Sequence, residues 1–159
     1  FRMNKRINAV RGVLINDGKI LWIKNKQERA GYYDLPGGEI EKNETPLEAC
    51  VREFKEETNI DVKEAEYKGT LDVITSAEDI ISLKIFIVNK FDGNIKYELE
   101  ENYCYFLDIE ELLSKEKVYA NTIILDRFFI KLLDQKKEFE IKVNVNEEDK
   151  IQSLNFRYI

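Results

Sequence analysis

A single helix, with both of its ends written into the chain, limits this fold more than any other feature. Thr45-Pro46-Leu47-Glu48 opens it: Thr45 as cap, Pro46 at the first helical position, Glu48 closing a capping box. It should run to about residue 58, where Asn59 suits the left-handed position that ends helices and Ile60 can fold back onto Phe54. Upstream, Pro36-Gly37-Gly38 breaks a short extended piece over 32–35.

Strands surround this helix in the pattern. Residues 7–15 and 20–23 read as two strands joined by the tight turn Asn16-Asp17-Gly18. Further strand-like runs fall at 67–75, 80–91 and 103–107, and Asp108 caps a short helix that follows. Residues 121–136 carry apolar side chains at helical spacing, and 139–158 read as a hairpin turning at 146–149. The expectation is one α/β domain over 3–137, with 138–159 as a β appendage of that same domain.

Residue usage narrows the chemistry. The 159 residues suit one domain, and the longest apolar runs fall short of the ~20 residues of a bilayer span. No signal segment opens the chain, so the sequence points to no membrane partner and a cytoplasmic location. Phe1 and Arg2 precede the first methionine, Met3, and read as residues added ahead of the natural start. A net charge of −6 argues against long nucleic acid, but not against a polyphosphate arriving with a divalent cation. Cys50 and Cys104 are too few for a disulfide framework and read as reduced structural thiols. The chain has no histidine, which removes Ser-His-Asp and Cys-His catalysis and leaves acid–base work to carboxylates, Lys, Tyr or metal-bound water.

At about 100° per residue, Leu47, Cys50, Val51 and Phe54 share one helix face, expected to pack on the sheet. Glu53, Glu56 and Glu57 crowd a neighbouring face, with Ala49 one turn before them leaving room. Like charges so placed repel by a few tenths of a kcal/mol per pair, about the cost of an ordinary solvated acidic face. A hard divalent cation would turn that repulsion into coordination.

The surrounding residues decide between these. Gly38, five residues, Glu44, seven residues, then Arg52-Glu53-Phe54-x-Glu56-Glu57-x-Asn59-Ile60 resembles the Nudix box, Gly-x5-Glu-x7-Arg-Glu-U-x-Glu-Glu-x-Gly-U, with U an apolar residue. Every specified position matches except the last glycine, here Asn59, and a chance match of that quality is on the order of 10⁻⁵. Tyr33-Asp34-Leu35-Pro36-Gly37-Gly38 is similar to the family's lead-in, and 105–112 to its later aromatic strand and acidic helix start.

The resemblance implies an α/β/α sandwich around a mixed sheet, and hydrolysis of a diphosphate linked to another group with Mg²⁺ or Mn²⁺. It makes Glu53, Glu56 and Glu57 the metal ligands, with the Gly37 carbonyl as another. Glu53 or Glu56 doubles as the base, while Arg52, with Glu44 as its partner, holds a box carboxylate in place. Among Glu98, Glu100 and Glu101 there is room for one further acid. Arg29 and Tyr32 are candidates for phosphate or base contact, and Asn121 for reading the base. The expected partner is a small-molecule nucleotide, most simply a (d)NTP, canonical or oxidised, split to NMP and pyrophosphate. ADP-ribose or a nucleotide sugar is the alternative, and a non-catalytic nucleotide sensor the alternative of another class. The tail hairpin could serve as a homodimer edge or cover the cleft.

Overall fold

The computed structural model describes residues 3–118, 136–148 and 150–159. Strand β1 (Arg6–Val13) leads through β2 (Ile15–Asn16) into β3 (Lys19–Asn25), with Asp17 and Gly18 both at positive φ in the turn. Short strands β4 (Tyr33–Asp34) and β5 (Gly37–Glu39) precede helix α1 (Pro46–Thr58). The long hairpin β6 (Asp61–Ile74) and β7 (Ile80–Asp92) follows, then β8 (Asn102–Leu107) and helix α2 (Ile109–Leu113). The described chain closes with β9 (Phe139–Val145) and β10 (Ile151–Tyr158). The helix expected over 121–136 lies, but for its last residue, outside the described residues.

Six strands form one mixed sheet in the order β10-β9-β6-β7-β1-β5. In it β1 runs parallel to β7 and β9 parallel to β6, and the other pairs are antiparallel. A smaller sheet joins β2, β3, β4 and β8. The tail hairpin is thus part of the main sheet, and Phe139, Ile141, Val143 and Val145 are buried in its core. No helix among the described residues is long and apolar enough to cross a membrane.

Local chemistry sets α1 as its sequence demands. Thr45 and Glu48 exchange both capping-box hydrogen bonds, and Asn59 takes the left-handed conformation at φ 72°. The buried face differs from expectation. Leu47 and Val51 remain 44% and 37% exposed, while Ala49, Cys50, Phe54 and Thr58 are buried. Phe54 fills the space over Gly12, where any Cβ would collide with its ring. Seated there, the helix turns Ala49 and the flank bearing Glu53 and Glu57 towards the protein instead of towards water. Trp22 is core, 1% exposed.

Candidate active site

The Leu35–Gly38 turn lies directly on β1, and that contact decides where the helix acids can go. A Cβ on Gly37 would collide with the Val10 carbonyl, and one on Gly38 with the Glu53 carboxylate. Gly37 donates its backbone N–H to Glu57 at 3.2 Å. Below the turn, Asp34 accepts from the Leu35 N–H at 2.8 Å and pairs with Arg11 at 3.1 Å. Burial raises the Asp34 carboxyl above its ordinary pKa, with Arg11 opposing.

The three helix acids occupy different surroundings. The Glu53 side chain is 13% exposed and that of Glu56 57%. Burial first, and then its neighbour Glu53, push the Glu57 carboxyl well above the usual carboxylate range; Arg11 and the Gly37 N–H oppose this. Arg52 grips Glu44 with two bonds, 2.8 Å from Nε and 3.0 Å from Nη2. Its Nη1 reaches Glu53 at 2.9 Å and Glu56 at 3.4 Å, and Nη2 donates to the Glu39 carbonyl at 3.0 Å. The Arg52 bond, followed by the Glu41 N–H, holds the Glu44 carboxyl below its ordinary pKa, and Glu44 and Glu53 in turn keep Arg52 firmly protonated.

A cleft of about 1250 Å³ brings together Glu53, Glu56, Glu57, Gly37, Arg29 and Tyr32. Glu100 and Glu101 also line it, whereas Glu98 is paired with Lys26 at 3.1 Å. Val73, Ile81 and Leu83 supply an apolar wall. Arg52 and Glu44 stand behind the acids and are not among the described residues that line the cleft. Asn121 lies outside the described residues. Arg11, Asp34 and Asn102 line the cleft without having been singled out from sequence. A cation amid the apolar run Val10-Arg11-Gly12-Val13-Leu14 was a usable signal for the first; Asn102 carried none.

The donor set suits a hard cation, being all oxygen, with two acids crowded beneath a turn that has no side chains. Among the described residues, no three acidic or cysteine side chains come together closely enough to hold a metal ion by themselves. Neither thiol is a nucleophile here: burial pushes both Cys50 and Cys104 up to about 12, so neither ionises near neutrality.

The NUDIX domain model matches residues 5–128. The chain belongs to the Nudix hydrolase family. Nudix enzymes act on small nucleotide substrates and generally use divalent metal ions. An ADP-ribose pyrophosphatase of Methanocaldococcus jannaschii is 37% identical over 110 residues, covering 65% of this chain and 63% of that one. This Nudix chain therefore aligns with just under two thirds of that relative's length. A CTP pyrophosphohydrolase of Escherichia coli is 29% identical over 78% of this chain and 92% of its own. The crystal structure of a MutT protein from Bacillus halodurans matches with a TM-score of 0.76 at 21% identity, covering 94% of this chain and 97% of that one. At that identity the likeness concerns the Nudix fold alone.

Proposed function

We propose that this chain is a divalent-cation-dependent pyrophosphohydrolase that cleaves a nucleoside diphosphate linked to another group, with a (d)NTP, canonical or oxidised, split to NMP and pyrophosphate. One observation carries the proposal: Glu53 and Glu57 are held together under the Gly37-Gly38 turn, at the edge of a cleft with one apolar wall. Glu53, Glu56 and Glu57, with the Gly37 carbonyl, would hold Mg²⁺ or Mn²⁺. When bound, the cation would neutralise phosphate charge and favour attack by water at phosphorus.

The chain's own residues do the rest. Glu53, or the more exposed Glu56, accepts the proton of the attacking water. Arg52 fixes both carboxylates from behind while Glu44 fixes Arg52. Arg29 and Tyr32 meet the phosphates or the base at the rim, a role also proposed for Asn121. Val73, Ile81 and Leu83 offer the base an apolar surface.

A second reading has its own support, because the M. jannaschii relative is named for ADP-ribose, whereas the E. coli relative is named for a triphosphate. Chromatography of the products from (d)NTPs, oxidised (d)NTPs, ADP-ribose and nucleotide sugars, run with Mg²⁺, Mn²⁺ or EDTA, separates the two. A triphosphate gives NMP and pyrophosphate, whereas ADP-ribose or a nucleotide sugar gives NMP and a sugar phosphate. Cation-dependent pyrophosphate from a triphosphate supports the leading proposal. Cleavage of ADP-ribose or sugar nucleotides alone replaces it, and tight nucleotide binding without turnover contradicts both.

A further inference from the structure

Helix α1 ends in a way that bears on its most enclosed acid. The last-turn carbonyls of a helix lack intrahelical partners and must find them elsewhere. In α1 the Lys55 carbonyl accepts from the Asn59 N–H at 3.1 Å, and the Thr58 carbonyl from the Lys96 N–H at 3.0 Å. The Glu57 carbonyl is met by two side chains from β8: Asn102 Nδ2 at 2.9 Å and Cys104 Sγ at 3.1 Å. Both are buried, Asn102 at 4% exposure and Cys104 at 1%. Asn102 Nδ2 also lies 3.7 Å from Cys104 Sγ, so the two donors form one group.

Glu57 is thereby held at both ends. Its carboxylate takes the Gly37 N–H from the turn, while its backbone carbonyl is fastened to β8 on the other side. Strand β8 pairs with β3 from Ile20↔Leu107 to Asn25↔Asn102, so the fastening refers the acid to the frame of the smaller sheet. The loop before β8 shares that frame, since the Lys26 N–H donates to the Glu101 carbonyl at 2.9 Å and Lys26 Nζ to the Leu99 carbonyl at 2.6 Å.

We infer that Asn102, seconded by Cys104, is a positioning residue that sets the place of Glu57 for its cation. The inference rests on the proposal that Glu57 is a cation ligand. Ligands need placement to about 0.5 Å, and losing a group bonded to a ligating side chain typically changes metal affinity by about 10–100-fold. Asn102 acts one step further back, through the Glu57 backbone carbonyl, so the low end applies. Other ties at this helix end, the backbone bonds of Asn59 to Lys55 and Lys96 to Thr58 and the Asn59 side chain's bond to the Asn94 carbonyl, are left in place by substitution at 102.

Mn²⁺ alone is the probe, titrated by electron paramagnetic resonance into wild type, Asn102→Ala, Cys104→Ser, Cys104→Val and Glu57→Gln, with thermal melting of each. Asn102→Ala should weaken Mn²⁺ by about tenfold. Cys104→Ser, which keeps a donor, should stay within about twofold of wild type, and Cys104→Val, close in volume but without a donor, should weaken binding by a few fold. The Cys104 pair decides the matter by itself if Asn102→Ala does not fold. Wild-type Mn²⁺ affinity in folded Asn102→Ala and in Cys104→Val, with Glu57→Gln impaired, overturns the positioning role alone. Wild-type affinity in Glu57→Gln removes the cation site and this inference with it.

Discussion

Around Arg52, the carboxylates of Glu44, Glu53 and Glu56 lie 2.8 to 3.4 Å from one guanidinium, and Glu44 titrates below its ordinary value. Around Glu57, one residue beyond Glu56, the balance is reversed. Its neighbour Glu53 is another acid, only the Arg11 charge and the Gly37 N–H are seen to oppose the resulting shift, and its carboxyl titrates well above the ordinary range. In the first cluster one guanidinium bonds three carboxylates and fixes their positions, while the negative charge stays in excess. In the second, burial and Glu53 favour the neutral form of Glu57 against Arg11 and the Gly37 N–H, and Glu53, Glu56 and Glu57 all line the cleft. The comparison sharpens the proposal: a cation beside Glu53 and Glu57 would offset the crowding that raises the Glu57 carboxyl.

The largest effect should come from removing the crowded acid. Glu57→Gln should lower turnover by at least ~10²-fold with the fold intact, read by steady-state rates and circular dichroism. Near-full activity would erase the contrast between the clusters. Next comes the guanidinium. Arg52→Gln strands Glu44 and Glu53 together and should cost about 2 kcal/mol, a fall of about 4–8 °C in melting temperature.

A smaller effect follows from the sign of the Glu44 shift. Its folded pKa lies below the reference value of 4.5, so the ionised form stabilises the fold above that pH, and the gain is lost as pH falls through the folded value. The stability gap between wild type and Glu44→Gln should therefore be full at pH 7 and shrink below about 4.5, as denaturant melts at several pH values would record. Smallest is the cap: Thr45→Ala should cost about 1 kcal/mol and leave the acids where they are.

What was legible in the sequence was local. The capping box of Thr45 and Glu48, the turn at Asp17-Gly18 and the left-handed Asn59 each depend on a few adjacent residues, and each stands as read. The spacing that fits Arg52 to Glu44 was likewise visible within one box. What was missed depends on contacts between distant segments. Strand β6 begins at Asp61, six residues earlier than its apolar pattern suggests, because Lys63 and Glu64 pair with Asp92 and Lys90 on the exposed end of the hairpin. The turn of α1 about its axis follows from Phe54 meeting Gly12, a pairing no helical period can show. Asn102 gave no sign of itself because a lone asparagine acquires its meaning only when β8 brings it to the Glu57 carbonyl.

The most direct test of the cation assignment is the shift in melting temperature on adding Mn²⁺ to wild type, Glu44→Gln and Glu57→Gln. Binding to the folded state alone adds about 2.7 kcal/mol of stability at a hundredfold excess over Kd, or roughly 5–10 °C for a chain of this size. Wild type and Glu44→Gln should both show that rise, whatever their starting values, and Glu57→Gln should show little of it. An equal rise in Glu57→Gln would contradict the assignment, because the crowded acid would not be where the cation binds.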